Sequence, residues 1–151
     1  MSTRPVRLAT RALILQDQRL LLVNAWPAAR NSDLWCAPGG GVEPHNSLPD
    51  NLIREVHEET GLTVTVGAPA LVNEFHAPDH DFHQIDIYFR CTITSGQLSD
   101  NWTDPEGIVT QRRFFSQAEI AGIRYKPDSL PDAAWNAGTA ITYDPLESLV
   151  R

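Results

Sequence analysis

Glu55, Glu58 and Glu59 stand at i, i+3 and i+4 in the run Arg54-Glu55-Val56-His57-Glu58-Glu59-Thr60-Gly61-Leu62. A helix turns by about 100° per residue, so this spacing puts three carboxylates on one face. Like charges so placed repel by roughly 0.3 kcal/mol per pair even in water. A hard divalent cation turns that repulsion into coordination. Carboxylate oxygens, with waters and substrate phosphates completing the shell, suit Mg2+ or Mn2+. Arg54, one residue before Glu55 and four before Glu58, can hold a carboxylate in place by a charge-assisted hydrogen bond. Taken alone, an E-x-x-E-E run is most often a solvated acidic surface. Its surroundings point further. Pro38 and Gly39-Gly40-Gly41 precede it and Gly61-Leu62 close it. Gly-rich backbone beside a helix start suits phosphate oxygens or offers a carbonyl ligand.

The elements that must position these residues are legible in outline. Ser47 followed by Asp50 resembles a capping box, Pro49 falls in a first turn, and Gly61 stands where a C-terminal cap belongs. The spacing predicts a helix over 47–60, with Leu52, Ile53 and Val56 as its apolar stripe. Strands are expected at 6–15 and 20–25 around a polar turn at 16–19, then at 63–66, 71–75, 85–93 and 108–115. Residues 26–33 read as a loop, and 34–37 as a short apolar run ending at Pro38. The segment 75–83, rich in His and Asp, reads as a long hairpin loop, and 95–106 as a second polar loop. Short helices are expected at 116–121, with Ser116 as N-cap, and at 130–136. Mixed strands around one strong helix suggest a layered α/β domain.

Gly40 to Leu62 resembles the Nudix box, G-x5-E-x7-R-E-U-x-E-E-x-G-U with U aliphatic. Gly40, Arg54, Glu55, Val56, Glu58, Glu59, Gly61 and Leu62 match at the required spacing, and Trp35 and Pro38-Gly39 are similar to the family's approach to the box. One position departs: Asn46 stands where the pattern has Glu. Asn keeps hydrogen-bonding ability and lacks the charge. His45 stands where many members have Gly. The resemblance implies an α/β/α sandwich with a mixed sheet and a central catalytic helix, covering 1–151 as one domain. It implies a metal-dependent hydrolase that cuts a diphosphate linkage in a nucleotide-like small molecule. Glu58 and Glu59 would be the main ligands of Mg2+ (or Mn2+), beside the Gly39 carbonyl. Glu55 would be a further ligand or the general base, held by Arg54. A later carboxylate commonly joins; Glu106 is the first candidate and Asp104 the second.

Other residues carry weaker signals. His76, His80 and His83, with Asp79 and Asp81, lack a regular ligand spacing and read as a solvated loop. Phe75, Phe82, Tyr88 and Trp102 read first as core, with stacking on a nucleobase as the alternative. Arg90, Arg112 and Arg113 are candidates to meet substrate phosphates, with surface placement as the default. No G-x-S-x-G, G-x-G-x-x-G or P-loop pattern occurs.

The bulk numbers agree with a globular enzyme. Of 151 residues 42% are hydrophobic and 21% charged, enough for one core. Net charge −7 argues against nucleic-acid or anionic-membrane partners. Cys36 and Cys91 lack metal-ligand spacing and read as buried thiols in a reducing compartment. The N-terminal stretch shows no signal-type apolar core, so a cytoplasmic location is expected. A homodimer is left open. The competing reading is a non-catalytic nucleotide-binding or regulatory module on the same fold. Asn46 favours it; the retained Arg54, Glu55, Glu58 and Glu59 favour the enzyme.

Overall fold

The computed structural model describes residues 3–136, 138 and 140–151. Strands β1 (Arg7–Gln16) and β2 (Arg19–Asn24) form a hairpin whose turn residues Asp17 and Gln18 have φ of 52° and 63°. β3 (Trp35–Cys36) and β4 (Gly39–Gly41) follow, then α1 (Leu48–Thr60). After it come β5 (Thr63–Ala77), β6 (Phe82–Ser95), β7 (Arg112–Phe115), α2 (Gln117–Ile120), α3 (Leu130–Trp135) and β8 (Thr142–Ser148). The sheet runs β3-β2-β1-β6-β5-β8, with β4 joined to β1 and β7 to β2. It is mixed: β1 lies parallel to β6 and β5 to β8, while β5 and β6 are antiparallel.

Alternating side chains divide the apolar residues between two cores. Leu13 of β1, Leu20 and Leu22 of β2 and Tyr88 of β6 face one side, where Ile120 of α2 and Leu130, Ala133 and Ala134 of α3 cover them. Ala12, Ile14, Leu21 and Phe89 face the other, under Leu52 and Val56 of α1. This is the expected α/β/α sandwich. Each fully buried Leu or Ile contributes about 1.5–3 kcal/mol, so a one-residue slip of β1 would misplace both sets.

The helix behaves as its sequence predicts. Ser47 Oγ accepts from Asp50 N at 3.1 Å. Gly61, at φ 77°, caps the end and donates to the His57 carbonyl. His45 takes φ 72°, the left-handed region that favours glycine.

Three expectations need correction. The 75–83 segment is not a long loop: β5 and β6 pair as far as Ala77↔Phe82, and only a 3-10 turn at Pro78–His80 with Asp81 connects them. Cross-strand pairing outweighs the polar composition there. The strand expected at 108–115 begins only at Arg112. Before it, Asn24 Oδ1 accepts from Thr110 N and Gln111 N, so a side chain of β2 and not a strand ladder takes these two amides. The tail, expected to hold only the helix after 130, also contains β8. Pro145 argues against a strand, yet β8 is an edge, where a missing N–H removes no needed ladder bond. Tyr143 Oη donates to Glu74 Oε1 at 2.6 Å, and Trp135 Nε1 to the Gln18 carbonyl at 2.9 Å, binding the tail to the sheet. Among the described residues, no helix is long and apolar enough to cross a membrane.

Candidate metal and substrate site

α1 presents Glu55 and Glu58 on one face, and the 95–111 segment brings Glu106 to them. Oxygens of these three carboxylates all lie within 4.8 Å of one another. The loop is built to hold Glu106 there. Buried Asp104 accepts from Glu106 N at 3.0 Å through Oδ1, and from Ile108 N and Val109 N through Oδ2. Asp104, the second candidate from sequence, is thus occupied by its own loop. Trp102 Nε1 donates to the Glu58 carbonyl at 2.9 Å and its ring packs on His57, fastening the same loop to α1. Trp102 is therefore structural and does not line the cavity.

Glu59 lies apart from that trio. Its Oε2 accepts from Gly39 N at 3.0 Å. The Gly39 carbonyl lies 3.4 Å from Arg11 Nη1. A Cβ on Gly39, at φ 150°, would fall 1.9 Å from the Thr10 carbonyl oxygen, and one on Gly40 2.7 Å from the Glu55 carboxylate. Only glycine brings the backbone this close to the acids.

Arg54 spans the helix face. Nη1 donates to both Glu58 oxygens at 3.3 Å, and Nη2 lies 3.3 Å from Glu55 Oε1 and 2.8 Å from Asn51 Oδ1. Asn51 was not singled out from the sequence, yet it is central. Its Nδ2 donates to Thr10 Oγ1 and the Gly41 carbonyl, and its Oδ1 also accepts from Glu43 N. It joins β1, the glycine strand and Arg54. The available signal was a polar side chain beside the apolar stripe, one turn before Arg54. Arg112, a candidate phosphate contact with surface placement as its default, donates to the Glu59 and Val109 carbonyls. Arg90 donates to the Ala133 carbonyl and Arg113 pairs with Glu119.

Burial dominates the electrostatics. It pushes the Glu59 carboxyl up to about 8, against the opposing pull of Arg11 and the Gly39 amide. Burial also raises Glu55; Arg54 opposes this, while Glu106 and Glu58 add to it. A divalent cation would relieve both. The residues fit such an ion: three converging carboxylates with Arg54 as the counter-charge at their side. Burial pushes Cys36 up to about 11 and Cys91 up to about 12, so neither thiol is a ready nucleophile.

A cavity of about 720 Å³ opens beside the cluster, with Glu55, Glu59 and Glu106 on its wall. Trp26, Phe75, Phe82 and His80 also line it. Its size suits a nucleotide-sized ligand.

Comparison with known proteins agrees with this geometry. A family model described as the NUDIX domain matches residues 5–137. Human diphosphoinositol polyphosphate phosphohydrolase 3-alpha is 30% identical over 100 residues, 66% of this chain and 56% of that protein. Diphosphoinositol polyphosphate phosphohydrolase 2 of Rattus norvegicus is 32% identical over 100 residues, 66% of this chain and 51% of its own length. The chain thus spans about half the length of the curated relatives it matches. Among solved structures, a UDP-X diphosphatase superposes with TM-score 0.71 at 20% identity, covering 97% of this chain and 70% of that one. An ADP-ribose pyrophosphatase from Streptococcus suis gives 0.66 at 21%, covering 94% and 98%. The MutT protein of Methanosarcina mazei Go1 gives 0.67 at 27%, covering 88% and 93%.

Proposed function

Because the chain belongs to the Nudix family, we propose that it is a metal-dependent pyrophosphohydrolase cutting the diphosphate linkage of a nucleoside diphosphate derivative or a similar small molecule. The observation that carries this is the convergence of Glu55, Glu58 and Glu106 beside the cavity. These three would hold Mg2+ or Mn2+, with Glu59 and the Gly39 carbonyl, which stand apart from them, as further ligands. The ion supplies positive charge for the diphosphate oxygens and for activating water. Arg54 fixes the Glu55 and Glu58 carboxylates. Glu55, buried and raised, is a further ligand or takes the proton from the attacking water. Gly39 and Gly40 let backbone approach the phosphates. Water attacks one phosphorus, the bridging oxygen leaves with the other phosphate, and the work is mainly positioning and charge stabilisation.

The names of the relatives and neighbours support a diphosphate substrate. The binding-module alternative rests on Asn46, and Glu43 supplies a carboxylate to Arg54 from the same loop. The proposal includes a single domain, a cytoplasmic location suited to two free thiols, and no nucleic-acid or membrane partner.

The test is phosphate release from nucleotide sugars, nucleoside di- and triphosphates and dinucleotide polyphosphates with Mg2+ or Mn2+. Turnover is expected with metal and none with excess chelator. Full turnover under excess chelator would overturn the reading.

A further inference from the structure

The chain has one lysine and eleven arginines against nineteen acids, for a net charge of −7. Most of these cations are answered within the protein. Arg11 pairs with Asp86, Arg54 with Glu43, Glu55 and Glu58, Arg19 and Arg113 with Glu119, and Arg124 with Asp33. Lys126 pairs with Asp128 and Glu147. Arg90 and Arg112 donate to main-chain carbonyls. Among the described residues this leaves the guanidinium groups of Arg4, Arg7, Arg30 and Arg151 without a carboxylate side chain within 4.0 Å, although the Arg4 main-chain N–H donates to Asp81 Oδ2 at 2.7 Å. All four line the cavity that holds the acidic cluster. Guanidinium groups without a carboxylate partner thus share one cavity with the acidic cluster.

Arg7 is held there by buried groups. The β1–β6 register sets Arg7 opposite Gln84 and Ala9 opposite Asp86. Gln84 and Asp86 are 2% and 3% exposed. Gln84 Nε2 donates to Asp86 Oδ1 at 2.6 Å, leaving Gln84 Oε1 to accept from Arg7 Nη1 at 2.6 Å. Asp86 also holds Arg11. A Cβ on Gly41 would lie 2.6 Å from Arg7 Nη2, so glycine is what lets the guanidinium lie against β4. One residue earlier, Gly40 meets Glu55. Asn73, opposite Asp86 on β5, also lines the cavity, and its buried Nδ2 has no partner. A buried donor left unpaired is costly, and a ligand oxygen would satisfy it.

We propose that Arg7, with Arg4 and Arg30, forms an anion subsite for a phosphate group additional to the scissile diphosphate, with Asn73 as a neighbouring neutral donor. The proposal rests on the reading of this cavity as a diphosphate-hydrolysing site. There, a cation held by Glu55, Glu58 and Glu106 would answer the diphosphate, leaving the arginines for further charge. The substrate class is a diphosphate-linked compound carrying at least one phosphate monoester on its non-reacting part. Guanidinium groups are suited to that dianion.

Two readouts test this. The first is kcat/KM for NADPH against NADH and for coenzyme A against dephospho-coenzyme A. Within each pair the diphosphate link is shared and one phosphate monoester differs. The phosphorylated member is expected to be favoured by about ten-fold, and Arg4→Gln/Arg7→Gln is expected to cut that ratio to about two-fold or less. The ratio should survive Arg19→Gln/Arg113→Gln, which removes cations outside the cavity. The second readout is titration of the metal-free protein with inositol hexakisphosphate, which has no anhydride to cut. Binding is expected to weaken by about ten-fold in Arg4→Gln/Arg7→Gln and to hold in Arg19→Gln/Arg113→Gln. Equal kcat/KM within a hydrolysed pair overturns the subsite, as does hexakisphosphate binding that the Arg4/Arg7 change leaves intact. If the probe binds through Arg4 and Arg7 but no diphosphate is hydrolysed, the subsite stands and the catalytic reading falls. Hydrolysis with no preference is the converse.

Discussion

The Glu43 carboxylate stands 3.6 Å from the Arg54 guanidinium and accepts from Asn46 Nδ2 at 3.3 Å. The box pattern has its carboxylate at position 46; here the acid facing Arg54 comes from three residues earlier. The two positions should therefore be coupled. Glu43 is largely exposed, so the pair is worth only about 0.5 kcal/mol, or roughly two- to three-fold in rate. Glu43→Gln is expected to lower kcat by about that factor. Asn46→Glu alone should bring no gain, because it sets a second carboxylate beside Glu43. The double change should return kcat to near wild type. A gain from Asn46→Glu by itself would show that Glu43 is no substitute.

Glu58→Gln is expected to reduce turnover by about 100-fold or more and to weaken Mn2+ binding, because a neutral oxygen is a poor ligand for a hard cation. The fold should persist. The change removes like-charge repulsion from the helix face and also loses one of the two oxygens that accept from Arg54, effects of similar size, so Tm should move by about 2 °C or less. Asp100→Asn, in the exposed part of the same loop, is the control and should match wild type. Kinetics at limiting metal and a thermal melt of each variant decide the matter. Wild-type turnover in Glu58→Gln would reduce the helix face to an acidic surface.

The metal-free protein should lose stability as pH rises from 5 to 8. Glu59 sits at about 8 in the folded chain, above the ordinary carboxyl value of 4.5, and Glu55 is shifted the same way. The folded state therefore binds protons more tightly than the unfolded state. That contribution is complete below the ordinary value and disappears as pH climbs through the folded value, a change on the order of a few kcal/mol. Melting in excess chelator at pH 5.5, 7 and 8 should show Tm falling. Mg2+ or Mn2+ should restore more stability at pH 8 than at pH 5.5, and Glu59→Gln should flatten the trend. A Tm that climbs with pH in chelator, equally in wild type and Glu59→Gln, would contradict the burial of a strained Glu59.

The sequence by itself determined what depends on local spacing. The i, i+3, i+4 acids, the Ser47 cap, Pro49 and Gly61 define α1 and its acidic face because helix period and capping are properties of neighbouring residues. The short continuous apolar runs of β1 and β2 on either side of a polar turn identify strands, and the glycines before α1 mark where backbone must approach closely. Tertiary structure decided what depends on distant partners. Glu106 meets Glu55 and Glu58 only because Asp104, Trp102 and Asn24 tether its loop. The tail becomes β8 only because β5 offers it a free edge, and 75–83 becomes paired strand only because its two halves meet. The cavity cations show the same division. Arg4, Arg7 and Arg30 are ordinary arginines in the sequence, while Arg90, Arg112 and Arg113 carried more promise. Which of them keeps a free charge is set by whether folding brings an acid or a carbonyl within reach, and no local pattern encodes that distance.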